Sequence, residues 1–160
     1  MISLDKINEF LEYNDGRLYW IKLNSPIVKV GHAVGGLNSE GYRRFQFFGN
    51  TLLEHRVVFL MFNKYLPKTI DHIDGVRDNN KIQNLRECTI NENCYNSKLN
   101  ARNSSGVKGV YLHKASNKWM VRASVKGKRM YFGSYDDLEL AELVAIEARN
   151  KYHGDFAKHV

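Results

Sequence analysis

Between residues 110 and 132, apolar and polar side chains alternate with a period of two in three short runs. Val110 and Leu112 alternate with Tyr111 and His113. Trp119, Val121, Ala123 and Val125 alternate with Met120, Arg122, Ser124 and Lys126. Met130 and Phe132 alternate with Arg129 and Tyr131. With Ser116-Asn117 and Gly127 at the turns, this predicts a three-stranded antiparallel sheet with one apolar face and one basic, aromatic face. Asp136, with Glu139 three residues on, predicts a helix cap. Leu140, Ala141, Val144, Ala145 and Ala148 form the apolar stripe of that helix, which Gly154 ends. The stripe needs a partner, and the apolar sheet face supplies one.

The N-terminal half is less regular. Ser3 caps a first helix with Leu4, Ile7, Phe10 and Leu11 on one face, and Asn14-Asp15-Gly16 ends it. Arg17–Lys22 reads as a strand. Gly35-Gly36 and Glu40-Gly41 punctuate a second β segment, and Tyr42–Phe48 is a third, closed by a hairpin turn at Gly49-Asn50. Residues 54–63 fit a helix with Val57, Val58, Met61 and Phe62 as apolar contacts, broken by Pro67. Residues 70–88 are polar and turn-rich. Thr89 with Glu92 forms a capping box, so another helix starts there and carries Asn93. Residues 98–106 are small, polar and basic and read as a mobile linker.

Composition narrows the function classes. The chain has 160 residues, 43% hydrophobic and 26% charged, with a formal net charge of +7. No apolar run approaches the roughly 18 residues of a membrane span, and MISLDKINEF lacks a signal-peptide pattern, so an intracellular protein is expected. Cys88 and Cys94 fit neither a CxxC knuckle nor a disulfide framework; both read as packing residues, which argues against structural zinc. The charge is unevenly spread. Between Glu92 and Asp136 there is no acid, yet nine Lys or Arg residues. A one-sign field of that length attracts a polyanion, and nucleic acid is the expected partner.

Phosphodiester hydrolysis needs an activated water and a cation on the leaving oxygen. Asp71-His72 offers both residue types, followed by turn chemistry at Asp74-Gly75, and Asn93 adds an amide oxygen. Alone, an Asp-His pair is more often structural than catalytic. The longer run, His55-Arg56, Asp71-His72-Ile73-Asp74-Gly75, Asp78-Asn79-Asn80, Ile82, Asn84-Leu85-Arg86, Thr89 and Asn93, resembles the HNH endonucleases of phages and mobile introns, over about residues 15–97. That resemblance implies a β-β-α-metal finger. It makes His72 the general base, Asp71 and Asn93 the ligands of one Mg²⁺ or Mn²⁺ ion, and Asn84 the residue that holds the loop and orients His72. His55 reads instead as a helix-start residue that packs or hydrogen-bonds. Asp74 reads as turn-forming, Asn79 and Asn80 as loop-stabilising, His32 as surface or structural. Arg77 and Arg86 read equally as phosphate contacts or solvated side chains.

The segment from Ser105 to Ala157, with its KGV start, KW strand, FGSY end and alanine-rich helix, resembles the plant ethylene-response-factor (Apetala-two type) DNA-binding domain. There the sheet enters the major groove. The matching positions are Lys108, Tyr111, His113, Arg122, Ser124, Arg129 and Tyr131; apart from Lys108, these are the outward residues of the alternation pattern. Tyr111, His113 and Ser124 replace arginines of the plant pattern, so the plant target is not carried over. Lys118, Lys126 and Lys128 read as phosphate contacts.

Together these readings predict an α+β chain. Residues 1–97 form an HNH endonuclease domain, 98–106 a basic linker, and 107–160 a three-stranded antiparallel sheet packed on one helix. The expected activity is metal-dependent, homing-type cleavage of double-stranded DNA, in the cytoplasm of a bacterial host if the gene is phage-borne. No membrane or protein partner is implied. The rival readings are a catalytically inactive DNA-binding regulator and an RNA-binding protein.

Overall fold

Ser3 opens helix α1 (Leu4–Phe10), its hydroxyl accepting from Lys6 N. The helix stops one residue short of the expected apolar stripe: Leu11 starts strand β1 (Leu11–Asn14), which pairs with β2 (Arg17–Trp20). Asn14-Asp15-Gly16 is therefore a hairpin turn and not a helix end. Asp15 and Gly16 both take positive φ, at 41° and 88°, as a tight turn between paired strands requires.

The computed structural model describes residues 3–22, 26 and 29–159. It holds two units, Met1–Cys88 and Thr89–Val160. The fold class is α+β as expected.

In the first unit, β3 (Gly36–Leu37), β4 (Arg43–Phe47) and β5 (Asn50–Leu53) form an antiparallel sheet in the order 3-4-5, with Phe48 and Gly49 at the turn. Helix α2 (Glu54–Asn63) spans the expected residues, but it ends on Lys64 in the left-handed region, three residues before Pro67. β6 (Thr69–His72) and β7 (Leu85–Cys88) pair antiparallel. The core joins Ile7, Phe10 and Leu11 to Leu18, Trp20, Phe45, Phe47, Val57, Val58, Ile70 and Leu85. Burying such a side chain stabilises by about 1.5–3 kcal/mol. Seven-residue α1 is too short to persist alone, so this packing maintains it.

The second unit begins with α3 (Ile90–Tyr95). Its capping box is complete: Thr89 Oγ1 accepts from Glu92 N, and the Glu92 carboxylate accepts from Thr89 N. β8 (Val110–His113), β9 (Lys118–Val125) and β10 (Lys128–Tyr135) form the expected antiparallel sheet, with β9 central. A register shift lies between Tyr131 and Gly133. Residues 103–107 are tied down: Asn103 Nδ2 donates to the Val107 and Val110 carbonyls, as does the Ser105 hydroxyl.

Helix α4 (Leu138–His153) packs on β9, but its cap is Asp137 rather than Asp136; Asp137 Oδ1 accepts from Glu139 N and Leu140 N. Its buried face also differs. Ala141, Ala145 and Ala148 are buried as expected, Leu140 is half exposed, and Arg149 and His153 complete the inner face. These two polar residues are admitted because backbone oxygens meet them: Arg149 Nη1 donates to Lys108 O, and His153 Nε2 lies 2.7 Å from Ser124 O. Tyr95 of α3 stacks on His153, with ring centroids 3.8 Å apart, and its hydroxyl accepts from Lys126 N.

Candidate active site

Glu54 sets the position of the first histidine. It is fully buried, and its carboxylate accepts from Leu18 N at 2.7 Å and Arg17 Nε at 3.2 Å. Burial raises its pKa, while these donors and the charge of Arg17 pull the other way. The start of α2 is thereby pinned to β2, and the next residue, His55, turns inward.

Antiparallel pairing sets the second group. In the β6–β7 register Asp71 lies opposite Arg86, and His72 opposite Leu85. Paired residues share a face, so the Arg86 guanidinium reaches Asp71: Nε and Nη2 both donate to Oδ2, at 2.8 and 2.7 Å. His72, the next residue on the strand, leaves on the opposite side. Its ring enters a buried cage. The His55 ring stands edge-on with centroids 5.1 Å apart, the Tyr42 ring lies at 6.0 Å, and Asn80 Oδ1 lies 3.1 Å from His72 Nε2.

His55 Nδ1 has no hydrogen-bond partner among the described residues. Burial pushes the pKa of His55 down to about 3, assisted by the charges of His72 and Arg56. The ring is thus a neutral wall of the cage.

The loop from Ile73 to Asn84 is held by one asparagine. Asn84 Oδ1 accepts from Asp74 N at 3.0 Å, and its Nδ2 donates to Asp74 Oδ1 at 2.9 Å and Asn79 O at 2.8 Å. Asp74 also receives Val76 N and Asn79 Nδ2. Burial acts to raise the Asp74 pKa, but these donors outweigh it and hold the carboxyl below its usual value. Arg77 donates to Glu40 O and lies over the Tyr42 ring.

The structure therefore brings together Asp71, His72 and Asn84 within the first unit. Asn93 lies on α3, in the second. Three participants escaped sequence reasoning: His55 beside His72, Asn80 on its ring nitrogen, and Arg86 on Asp71. The motif contained all three, yet nothing in it distinguished these contacts from helix-start, loop or surface roles.

Among the residues nominated for DNA, six share one face of the second unit's sheet. The register places Tyr111 beside Met120, Arg122 opposite Tyr131, Ser124 opposite Arg129, and His113 opposite Lys118. Arg122 also lies over the Tyr111 ring, 5.1 Å from its centroid. Lys108 precedes this sheet. Its ammonium donates to the Tyr95 and Ser97 carbonyls, and burial together with Arg149 and Lys158 lowers its pKa to about 8. Lys118 pairs with Asp136 at 3.1 Å.

A family model described as HNH endonuclease matches residues 53–95, from the last residue of β5 through α3. The match encloses His55, Asp71, His72, Asn80, Asn84 and the loop from Ile73 to Asn84; Tyr42 precedes it. "Protein 3.8" of Escherichia phage T7 is 36% identical over 106 residues, which cover 65% of this chain and 87% of that protein. This chain belongs to the phage T7 Protein 3.8 family. It carries an HNH endonuclease domain, the mark of a nuclease acting on DNA. No solved structure matches it.

The ion such domains use meets a suitable donor at Asp71. Its carboxylate is buried and hard, the oxygen donor type that Mg²⁺ and Mn²⁺ prefer. No group of three or more His, Cys, Asp or Glu residues able to hold a metal occurs among the described residues. A carboxylate donor of this kind suits an oxygen-ligated ion.

Proposed function

We propose that this protein is a metal-dependent endonuclease that cuts double-stranded DNA at the His72 cage and is directed to it by the C-terminal sheet. The observation that carries the reading is the caged His72 beside buried Asp71, inside the segment that matches the HNH model.

His72 takes the proton of the attacking water. An imidazole suits that task because its ordinary pKa lies near working pH. Asn84 fixes the loop that carries the residues facing His72. Asp71 would hold Mg²⁺ or Mn²⁺, which would supply stabilisation of charge on the leaving oxygen; the resemblance makes Asn93 a second ligand. Arg86 orients the Asp71 carboxylate. Residues 1–97 form the nuclease domain, 98–106 the linker, and 107–160 a DNA-binding domain of the ethylene-response-factor type. The resemblance to phage and intron enzymes favours a homing-type role in the bacterial cytoplasm. One such site per chain favours nicking by a monomer; cutting both strands needs a dimer or two successive events.

Supercoiled plasmid incubated with purified protein tests this. With Mg²⁺ or Mn²⁺ the plasmid, taken from a DNA pool that includes host and phage sequence, converts to open circles; with chelator it does not. Duplex binding without conversion on any such DNA would favour the inactive regulator, and preference for RNA in competition would favour the third reading.

The sheet face makes a separate prediction. Arg122→Ala and Arg129→Ala each weaken duplex binding by about 1–3 kcal/mol, the usual cost of losing a base contact. Fluorescence anisotropy at fixed salt reads the change. Unchanged affinity in both variants would remove this face from the interface.

A further inference from the structure

We propose that Asn80 is a positioning residue that sets the tautomer of His72, so that Nε2 carries the hydrogen and Nδ1 carries the lone pair. This rests on reading His72 as the general base.

Asn80 is 1% exposed, in a loop otherwise made of turns. The backbone leading to it is fixed from one side by the Asp74–Asn84 pair: Asn84 Nδ2 holds the Asn79 carbonyl, and Asn79 Nδ2 holds Asp74. Asn80 N in turn donates to Asp78 O at 3.1 Å. The side chain is thus delivered to the His72 ring by a rigid loop. Its Oδ1 stands 3.1 Å from Nε2. An amide oxygen only accepts, so the ring nitrogen facing it must donate. A neutral imidazole has one hydrogen; placing it on Nε2 leaves Nδ1 as the nitrogen able to take a proton. His55 and Tyr42 confine the plane of the ring, but they meet it as rings at 5.1 and 6.0 Å. They do not choose between its nitrogens.

The other end of the amide supports the assignment. Asn80 Nδ2 is buried and has no partner among the described residues. An unsatisfied buried donor costs about 1–3 kcal/mol, and a leucine of similar size would avoid that cost. The amide is explained by what its oxygen does. The two asparagines of the loop then divide the work: Asn84 holds the loop, and Asn80 aims the base through it.

Long-range ¹H–¹⁵N spectra of the full-length, metal-free protein, labelled at histidine, read the tautomer directly. The His72 signals are assigned by their loss in His72→Ala. We expect a protonated-type shift at Nε2 and a lone-pair-type shift at Nδ1. Asn80→Leu should mix the tautomers and lower the single-turnover rate at saturating DNA about 10–100-fold, the range found for partners that fix the tautomer of metal-bound histidines. DNA affinity should stay within about twofold of wild type. Asn80→Asp, which keeps an acceptor, should restore the Nε2–H tautomer and most of the rate. A wild-type spectrum showing Nδ1–H, as a reversed amide would give, overturns the proposal. So does an Asn80→Leu protein with unchanged tautomer and rate. Should Asn80→Leu fail to fold, the wild-type and Asn80→Asp spectra still decide. Absence of cleavage by wild type, with the tautomer as expected, would count against the nuclease reading and leave the role of Asn80 in fixing the ring intact.

Discussion

His72→Ala lowers plasmid cleavage by about 10²–10⁴-fold, the contribution of a positioned general base, and leaves duplex affinity unchanged. The ring is 5% exposed and lies in the first unit, whereas the face nominated for DNA lies on the sheet of the second. Losing the imidazole should therefore separate cutting from binding. His72→Gln, closer in volume, guards against collapse of the cage, and a thermal melt shows whether either variant is folded. Intact cleavage would place the base elsewhere. The His55 imidazole stands against His72, but its partnerless Nδ1 is sealed by burial. Equal loss of binding and cutting, with an intact melt, would mean that His72 serves the DNA interface and not the chemistry.

The C-terminal sheet was legible because period-two alternation has one physical solution when one face is buried, and Val110 and Val121 are buried as that pattern demands. The capping box at Thr89 was equally direct, since two side chains three residues apart declare both bonds. β1 was not legible. Leu11 continues the helical spacing of Ile7 and Phe10, and only the pairing with β2 turns it into a strand. Leu140 lay on the apolar stripe by spacing, yet Arg149 and His153 took the inner face. Their partners are backbone oxygens of Lys108 and Ser124, distant in sequence. The same limit applies at the active site. Motif and resemblance nominated His72, Asp71 and Asn84, but an asparagine in an asparagine-rich loop looks the same whether it holds the loop or a ring nitrogen. The Arg86–Asp71 pair depends on β-register, which the polar segment between Ile70 and Ile82 left undetermined.

Acid destabilises the first unit through His55. Its folded pKa is held at about 3 against an ordinary value of 6.5, with burial the main cause. A depressed folded pKa means that the unfolded chain takes up the proton first. Stability from this group is fully present above pH 6.5, declines as pH falls below it, and stops declining only near pH 3. Between pH 7 and pH 5 the loss amounts to about 2 kcal/mol by proton linkage. Other histidines and the carboxylates also titrate, so the informative quantity is a difference. His55→Phe keeps a ring of similar shape against His72 and Tyr42 and has no proton to bind. Urea denaturation at both pH values should show wild type losing about 2 kcal/mol more than His55→Phe. The variant also removes the partnerless buried nitrogen, so its stability at pH 7 need not fall despite the altered ring. An identical pH dependence in the two proteins would mean that the His55 ring accepts a proton in the folded state. The cage would then hold a charge beside His72, and the neutral wall inferred for it would have to be abandoned.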